Sequence, residues 1–290
     1  MAELVSVLVP LFGRHRGRDT LAAVGAAWAR QDVPCEVVVA VTGDALPVPA
    51  PGSVRVVRAD PDPAAPGVLR NIAAARATGD WLYLSDADVR PVGTDYLARA
   101  LRLAGTGALA QPWMYRLVGA GPAGFGAPER DDELRRLSGI RCCFLQVPAE
   151  LGAVRVCDDE GFVYEDDTLM VVPPAAMPVA ADELRWRPPF HWGGMLVRRS
   201  VFDAVGGYFT GYAGWGCEDD DLLAKVGART TVTVAWQADP SLRCAHFEHT
   251  RPYDNPGFAA NRARLAQRLA DGVEAMIEAD LSTGLAWNGE

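Results

Sequence analysis

Apolar and polar residues fall in blocks along this chain, and the blocks predict the elements. Residues 4–11 read LVSVLVPL, a β-branched run that ends at Pro10 and the polar, arginine-rich GRHRGRD. Such a run suits a strand buried on both faces, as in a parallel sheet, better than one half open to water. Asp19-Thr20 then offers a cap for a helix over TLAAVGAAWARQ, which closes near Asp32-Val33-Pro34. CEVVVAV reads as a second buried strand, stopping at Thr42-Gly43-Asp44. A proline-rich stretch with a short strand, VRVVRA, leads to the alanine-rich helix LRNIAAARATG, ending at Gly79, and DWLYLSDADVRP follows as one further strand. This β-α-β-(β)-α-β order predicts an α/β fold on a mostly parallel sheet with helices on both faces.

Between 111 and 190 the rhythm breaks. Glycine and proline are frequent, one short helical stretch (ERDDELRRL) stands among them, and CCFLQV and LMVV read as strands. The region reads as a variable insert within a single domain spanning 1–290. From PPFHWGGMLVRRSVF the pattern tightens into strand, helix, glycine turn, an acidic run, a second helix and the strand TVTVAW. The residues after Arg251 hold one helix, AANRARLAQRLADGVEAMIEA, and a tail.

Composition narrows the class. A chain of 290 residues is long enough to bury a large core, and a formal net charge of −9 argues against general nucleic-acid or anionic-membrane partners. None of the six cysteines forms a C-x-x-C pair, which leaves no zinc or thioredoxin-type signature. The N-terminal apolar run lacks a positive leader, and no uncharged stretch approaches the ~18–20 apolar residues that span a bilayer. The expectation is a soluble, reduced, cytoplasmic protein with no transmembrane segment. Lys225 is the single lysine, while Arg, Ala, Gly and Pro abound, the mark of a GC-rich bacterial genome.

Two acidic motifs carry candidate chemistry. On a strand, Asp86 and Asp88 of WLYLSDADVRP point the same way, with Ala87 opposite. They close the strand, and in open α/β sheets ligands bind beyond the strands' carboxyl ends. Two carboxylates there suit Mg²⁺ or Mn²⁺ bridging a diphosphate, although Asp and Ser also end strands simply as turn formers. Arg70, upstream, is the residue type favoured for a diphosphate; a surface ion pair is the plainer alternative. The second motif is GYAGWGCEDDDLL. Taken as a helix from Glu218, its apolar face is Leu222, Leu223 and Val226, so Glu218 and Asp219 share the inward side. Asp221 pairs with Lys225 on the outward side, and Asp220 is exposed or transitional. Helix-dipole stabilisation accounts for acids at this position, but inward carboxylates beside Trp215 also need a partner such as a sugar hydroxyl.

These residues resemble a known family. VPLFGR, LRNIAAARATGDWLYLSDADVRP and GGMLVRRSVFDAVGGYFTGYAGWGCEDDDLL together are similar to the GT-A, Rossmann-like nucleotide-sugar glycosyltransferases. The last segment resembles the inverting β-1,4-galactosyltransferases and related bacterial family 2 enzymes. The likeness covers most of 4–110, which would form the nucleotide-sugar half, and 190–265, which would form the acceptor and catalytic half. It leaves out 111–190 and the 266–290 helix and tail. It implies that Pro10, Phe12 and Arg14 cradle the nucleotide, that Arg70 reaches its diphosphate, and that Asp86 and Asp88 are the D-x-D pair, Asp88 being the metal ligand. Gly193 and Gly194 match a tight turn under the sugar. Trp215, Glu218 and Asp219 match the acceptor-binding tryptophan and acidic pair, with Asp219 as general base. RCAHFEHTRPYDNP resembles the family's histidine segment, implying His249 as a metal ligand and His246 as a second one. On a straight strand these two histidines face opposite ways, so both bind only if the backbone turns. Where many relatives read uridine with an Asp-Asp pair, this chain has VAVTGD, leaving Asp44 nearby.

The resemblance therefore implies an inverting, Mn²⁺- or Mg²⁺-dependent glycosyltransferase using a nucleoside diphosphate sugar, UDP-sugars foremost, and a small-molecule or glycan acceptor. A non-catalytic nucleotide-sugar-binding protein and a sugar nucleotidyltransferase are the alternatives. The latter would want a lysine-bearing, glycine-rich first loop, which PLFGRHRGRD lacks. LVGAGPAGFG contains a G-x-G-x-x-G at Gly119, Gly121 and Gly124, but Pro122, Gly126 and Pro128 interrupt the helix a dinucleotide site requires, so it reads as a loop.

Overall fold

The computed structural model describes residues 3–12, 17–42, 54–59, 65–117, 143–148, 155–158, 163–164, 170–171, 184–186, 190–239, 241–247 and 257–283. The first half runs β1 (Val5–Leu11), α1 (Gly17–Ala29), β2 (Cys35–Thr42), β3 (Val54–Ala59), α2 (Pro66–Arg76), β4 (Trp81–Leu84), β5 (Val89–Pro91), α3 (Tyr96–Ala104), β6 (Ala108–Ala110) and β7 (Trp113–Leu117). The middle carries the strands β8 (Cys143–Pro148), β9 (Arg155–Asp158), β10 (Val163–Tyr164), β11 (Met170–Val171) and β12 (Leu184–Trp186). The remainder is β13 (Met195–Arg198), α4 (Arg199–Ala204), α5 (Glu218–Arg229), β14 (Val232–Val234), α6 (Ala235–Ala238), β15 (Arg243–Phe247), α7 (Phe258–Asp271) and α8 (Val273–Ser282).

The main sheet has the order β14-β6-β13-β4-β1-β2-β3. Strands β4, β1, β2 and β3 are parallel, as the continuous apolar runs required, while β13 runs antiparallel to both β4 and β6. Every residue of β1 is buried. Val5, Val7, Val9 and Leu11 face a core shared with α1 and α3, and Leu8 faces one shared with α2, α4 and α5. Helices thus cover both faces. Each fully buried Val or Leu contributes ~1.5–3 kcal/mol by leaving water.

Three expectations about elements change. The run DWLYLSDADVRP is two strands in two sheets. β4 stops at Leu84, opposite Leu8, while β5 joins a small sheet of order β11-β7-β15-β5. Asp86 and Asp88 therefore lie in the turn between strands, so strand alternation does not set their directions. Thr20 lies inside α1 rather than capping it, and its hydroxyl donates to the Ala87 carbonyl at 2.8 Å, which ties the helix to this turn. The single C-terminal helix is two, broken at Gly272, whose φ of +98° is a conformation L side chains rarely adopt. No helix among the described residues is long and apolar enough to cross a membrane. Within the 111–190 region, CCFLQV and LMVV contribute β8 and β11; the short helical stretch and the glycines at 119, 121 and 124 lie outside the described residues.

Candidate functional site

The site forms where β4 ends and α2 passes beneath. Gly67 lets α2 approach closely: a Cβ there would stand 3.0 Å from Tyr208 Cδ1. One turn on, Arg70 is 2% exposed, which makes it one of the largest fully buried side chains. Its Nη2 meets Asp86 Oδ1 at 2.5 Å, its Nη1 meets Asp219 Oδ1 at 3.2 Å, and Nε and Nη2 both donate to the Ser85 carbonyl at 3.4 Å. The guanidinium also lies over the Tyr208 ring, 5.4 Å from its centroid. The second oxygen of Asp86 meets His191 Nε2 at 2.9 Å. Burial alone would raise the Asp86 pKa, but Arg70 and His191 outweigh it and hold the carboxyl well below the usual carboxylate range.

Gly193 and Gly194 are needed for space. A Cβ on Gly193 would stand 3.0 Å from both Arg70 Nη2 and Asp219 Oδ2, and one on Gly194 would stand 2.7 Å from His191 Nδ1 and 2.8 Å from Pro112 Cδ. The backbone here passes against the two ion pairs, and any side chain would push them apart. The Gly194 N–H closes the turn by donating to the His191 carbonyl at 3.1 Å.

The four consecutive acids opening α5 each take a different partner. Cys217, just before the helix, has φ +75°, and Gly216 has φ +107° with no room for a side chain, since a Cβ there would stand 2.6 Å from Phe258 Cδ2. This tight entry buries Glu218, whose Oε2 accepts the Gly216 N–H at 2.5 Å. Burial first, and the adjacent Asp219 carboxylate second, push the Glu218 carboxyl up to about 8. Asp219 accepts both of its bonds on Oδ1, from Arg70 and from the Tyr208 hydroxyl at 3.0 Å. Tyr208 keeps its proton, because burial drives its pKa well above the ordinary value. Asp220 accepts the Trp192 indole N–H at 2.7 Å. Asp221 corrects the expectation of an outward pair: it and Lys225 are completely buried, Oδ1 standing 3.5 Å from Nζ. Arg268, Asp280 and the Tyr212 hydroxyl close around them.

A pair of potential metal donors lies beside the D-x-D turn. Asp88 is buried, its carbonyl accepts the Phe247 N–H at 2.8 Å, and its Oδ2 stands 3.5 Å from His246 Nε2. Pairing of β15 with β5 sets His246 opposite Val89 and brings the two together. A carboxylate oxygen and an imidazole nitrogen at this separation suit Mn²⁺ or Mg²⁺, so the residues present fit such an ion. Among the described residues no group of three or more His, Cys, Asp or Glu forms a metal cluster. His249, Arg14 and Asp44 lie outside the described residues. Pro10 sits buried in β1, in register with Ala40, and Phe12 packs on the core that contains Leu8 and Leu69. Trp215 is 38% exposed, its ring tilted against Phe258 with centroids 5.8 Å apart.

Arg70, Asp86, Gly193 and Asp219 thus converge, with Glu218 adjoining. Sequence reading missed His191, Tyr208 and Trp192. Their signals were slight: His191 and Trp192 directly precede the Gly-Gly pair, and Tyr208 directly follows Gly206-Gly207.

The family described as the N-terminal domain of galactosyltransferase matches residues 178–250, the stretch holding the glycine pair and the acidic run. GalNAc-T7, solved with UDP, GalNAc and Mn²⁺, superposes with a TM-score of 0.55 at 16% identity over 94% of this chain and 49% of that one. S. aureus TarS overlaps with a TM-score of 0.45 at 15% identity over 79% of this chain and 57% of its own. Drosophila β1,4-galactosyltransferase 7, in complex with xylobiose, gives 0.46 at 18% identity over 91% and 79%. The chain spans about half the length of the GalNAc-T7 and TarS chains. No curated protein sequence matches it. At that identity GalNAc-T7 shows the fold, and the family model matches only the segment with the glycine pair and the acidic run: the chain has a GT-A-like fold and carries a segment similar to the galactosyltransferase domain.

Proposed function

We propose that this protein is an inverting, divalent-metal-dependent glycosyltransferase. It moves a sugar from a nucleoside diphosphate sugar, UDP-sugars being favoured, to a hydroxyl or amine of a small-molecule or glycan acceptor. The observation that supports this most is the buried guanidinium of Arg70, which contacts a D-x-D carboxylate on one side and Asp219 on the other. On this reading donor-side and acceptor-side acids meet at one cation. GalNAc-T7, solved with UDP and Mn²⁺, agrees with this donor and metal.

Asp219 is the general base. Arg70 and Tyr208 occupy its Oδ1 and fix the carboxylate plane, while Oδ2 faces the space that a side chain at Gly193 would fill. Oδ2 takes the proton of the acceptor hydroxyl as that oxygen bonds to the anomeric carbon. The bond from this carbon to the phosphate oxygen breaks on the opposite side, its electron pair leaves with the diphosphate, and the configuration inverts. Glu218, with its carboxyl pushed up to about 8, holds a proton at neutral pH and can donate a hydrogen bond to an acceptor oxygen. A divalent cation held by Asp88 and His246, with His249 as a further ligand, would neutralise charge on the departing nucleotide.

The test is Asp219→Asn. Calorimetry with a UDP-sugar and Mn²⁺ should show donor affinity retained, while transfer falls by about 10²–10⁴-fold, and NMR of the wild-type product should show the inverted anomer. A retained anomer, or an Asn variant with near wild-type turnover, would overturn the assignment.

A further inference from the structure

Trp192 is 45% exposed and Trp215 is 38% exposed, whereas Trp28, Trp81 and Trp113 are buried. These two tryptophans come from different segments, yet both adjoin the acidic run. Trp215 precedes Glu218 by three residues, and Trp192 reaches Asp220 through its indole N–H. Trp192 is also bonded through the chain to Gly193, where a Cβ would stand 3.0 Å from Asp219 Oδ2.

We propose that Trp192 is a specificity-determining residue for the acceptor, presenting its indole face to a flat, C–H-rich or aromatic ring. This rests on the reading of Asp219 as the base. The chemistry follows from what the indole has left to offer. Its one polar group is already taken by Asp220, so the exposed part is apolar ring, and recognition runs through the face rather than through a hydrogen bond. The ring is also held in place. Phe190 packs on it with centroids 5.1 Å apart, and Phe190 in turn stacks on Trp236 at 6.0 Å and 18°. A rigid aromatic face kept in water beside a reactive carboxylate suits a ligand with a matching face, such as a pyranoside or an aryl glycoside. Asp220 then has a role that neither the helix dipole nor the catalytic pair accounts for: it sets the tilt of this ring.

The experiment compares wild type, Trp192→Phe and Trp192→Ala, using whichever UDP-sugar the wild type cleaves with Mn²⁺. Methyl and p-nitrophenyl β-glycosides of glucose, xylose and N-acetylglucosamine serve as acceptors. Trp192→Ala should raise the acceptor KM about tenfold, more for p-nitrophenyl than for methyl glycosides. The donor KM, read from acceptor-free UDP release, should stay in place. Trp192→Phe, which keeps a ring but loses the N–H, should recover most of the affinity. An unchanged acceptor KM in Trp192→Ala overturns the proposal, as does a donor KM that rises in parallel, since a purely structural role would move both. If none of the glycosides accelerates UDP release by the wild type, ring-face recognition is overturned while donor cleavage stands. If the wild type releases no UDP from any donor with Mn²⁺, the transferase reading itself fails.

Discussion

At the scale of the residue, Arg70 decides the chemistry of its neighbours. A buried guanidinium is tolerable only with charges to meet it, and Asp86 and Asp219 supply them. It lowers the pKa of Asp86 but does not rescue Glu218, where burial and the Asp219 charge prevail. Glu218 therefore binds its proton more tightly folded than unfolded. Its contribution to stability is complete below the ordinary value of 4.5 and is lost as pH rises toward about 8. Glu218→Gln, which mimics the protonated acid at all pH values, should remove that loss. Thermal melts from pH 5 to pH 8.5 should show the wild-type Tm falling relative to the Gln variant across that window. Parallel curves would mean that Glu218 ionises at its usual pH. The same substitution removes an ionisable carboxyl without removing a hydrogen-bond donor, so acceptor affinity at neutral pH should fall little.

At the scale of the element, α5 joins the proposed catalytic acids to the C-terminal helices. Lys225 Nζ donates to the Gly207 carbonyl at 2.7 Å, immediately before Tyr208, and is ion-paired with Asp280 of α8. Arg268 of α7 bonds Asp221 at 2.7 Å and Asp280 at 2.9 Å. Removing one acid from a buried cluster leaves a cation short of a partner, so Asp280→Ala should cost ~3–5 kcal/mol and lower the Tm markedly. Arg229 and Glu274 link α5 and α8 at the surface with two bonds of 2.6 Å, and water already solvates both, so Glu274→Ala should hardly move the Tm. Equal Tm changes would show that the buried cluster is not what fastens these helices. The same helix shows where sequence reading stops. Spacing of four residues paired Asp221 with Lys225 correctly, but whether that pair faces water depends on Asp280 and Arg268, which no local pattern reveals. The D-x-D run misled for a similar reason. Ser85, Asp86 and Asp88 mark a turn, but the apolar letters resume at Val89 and Val92, and no local pattern says that they belong to a second sheet. Blocks that only had to be buried, such as β1 and β2, read correctly because burial on both faces leaves its mark in every letter.

At the scale of the whole molecule, two sheets meet at the proposed donor site. The main sheet ends β4 beneath Arg70, and the small sheet carries His246 on β15 to the side of Asp88. Short motifs marked Asp88 and the histidine segment as candidates, but their meeting depends on pairing between β15 and β5, elements far apart in the chain. If that meeting builds a cation site, diphosphate affinity depends on the ion, and donor binding couples to stability through it. UDP at about 100 times its Kd adds ~2.7 kcal/mol to a folded state that binds it and to nothing else. In a chain of this length that corresponds to a Tm rise of several degrees. Wild type should show the rise with UDP and Mn²⁺ together and lose it in EDTA. Asp88→Asn and His246→Ala should lose most of it even with Mn²⁺ present, whereas Asp219→Asn should keep it, because on the proposed reading Asp219 meets the acceptor and not the diphosphate. A UDP-induced rise that persists in EDTA, or in Asp88→Asn, would assign the diphosphate to side chains alone. Arg70 would be the obvious candidate for that role, and it would have to give up Asp86 or Asp219 to fill it.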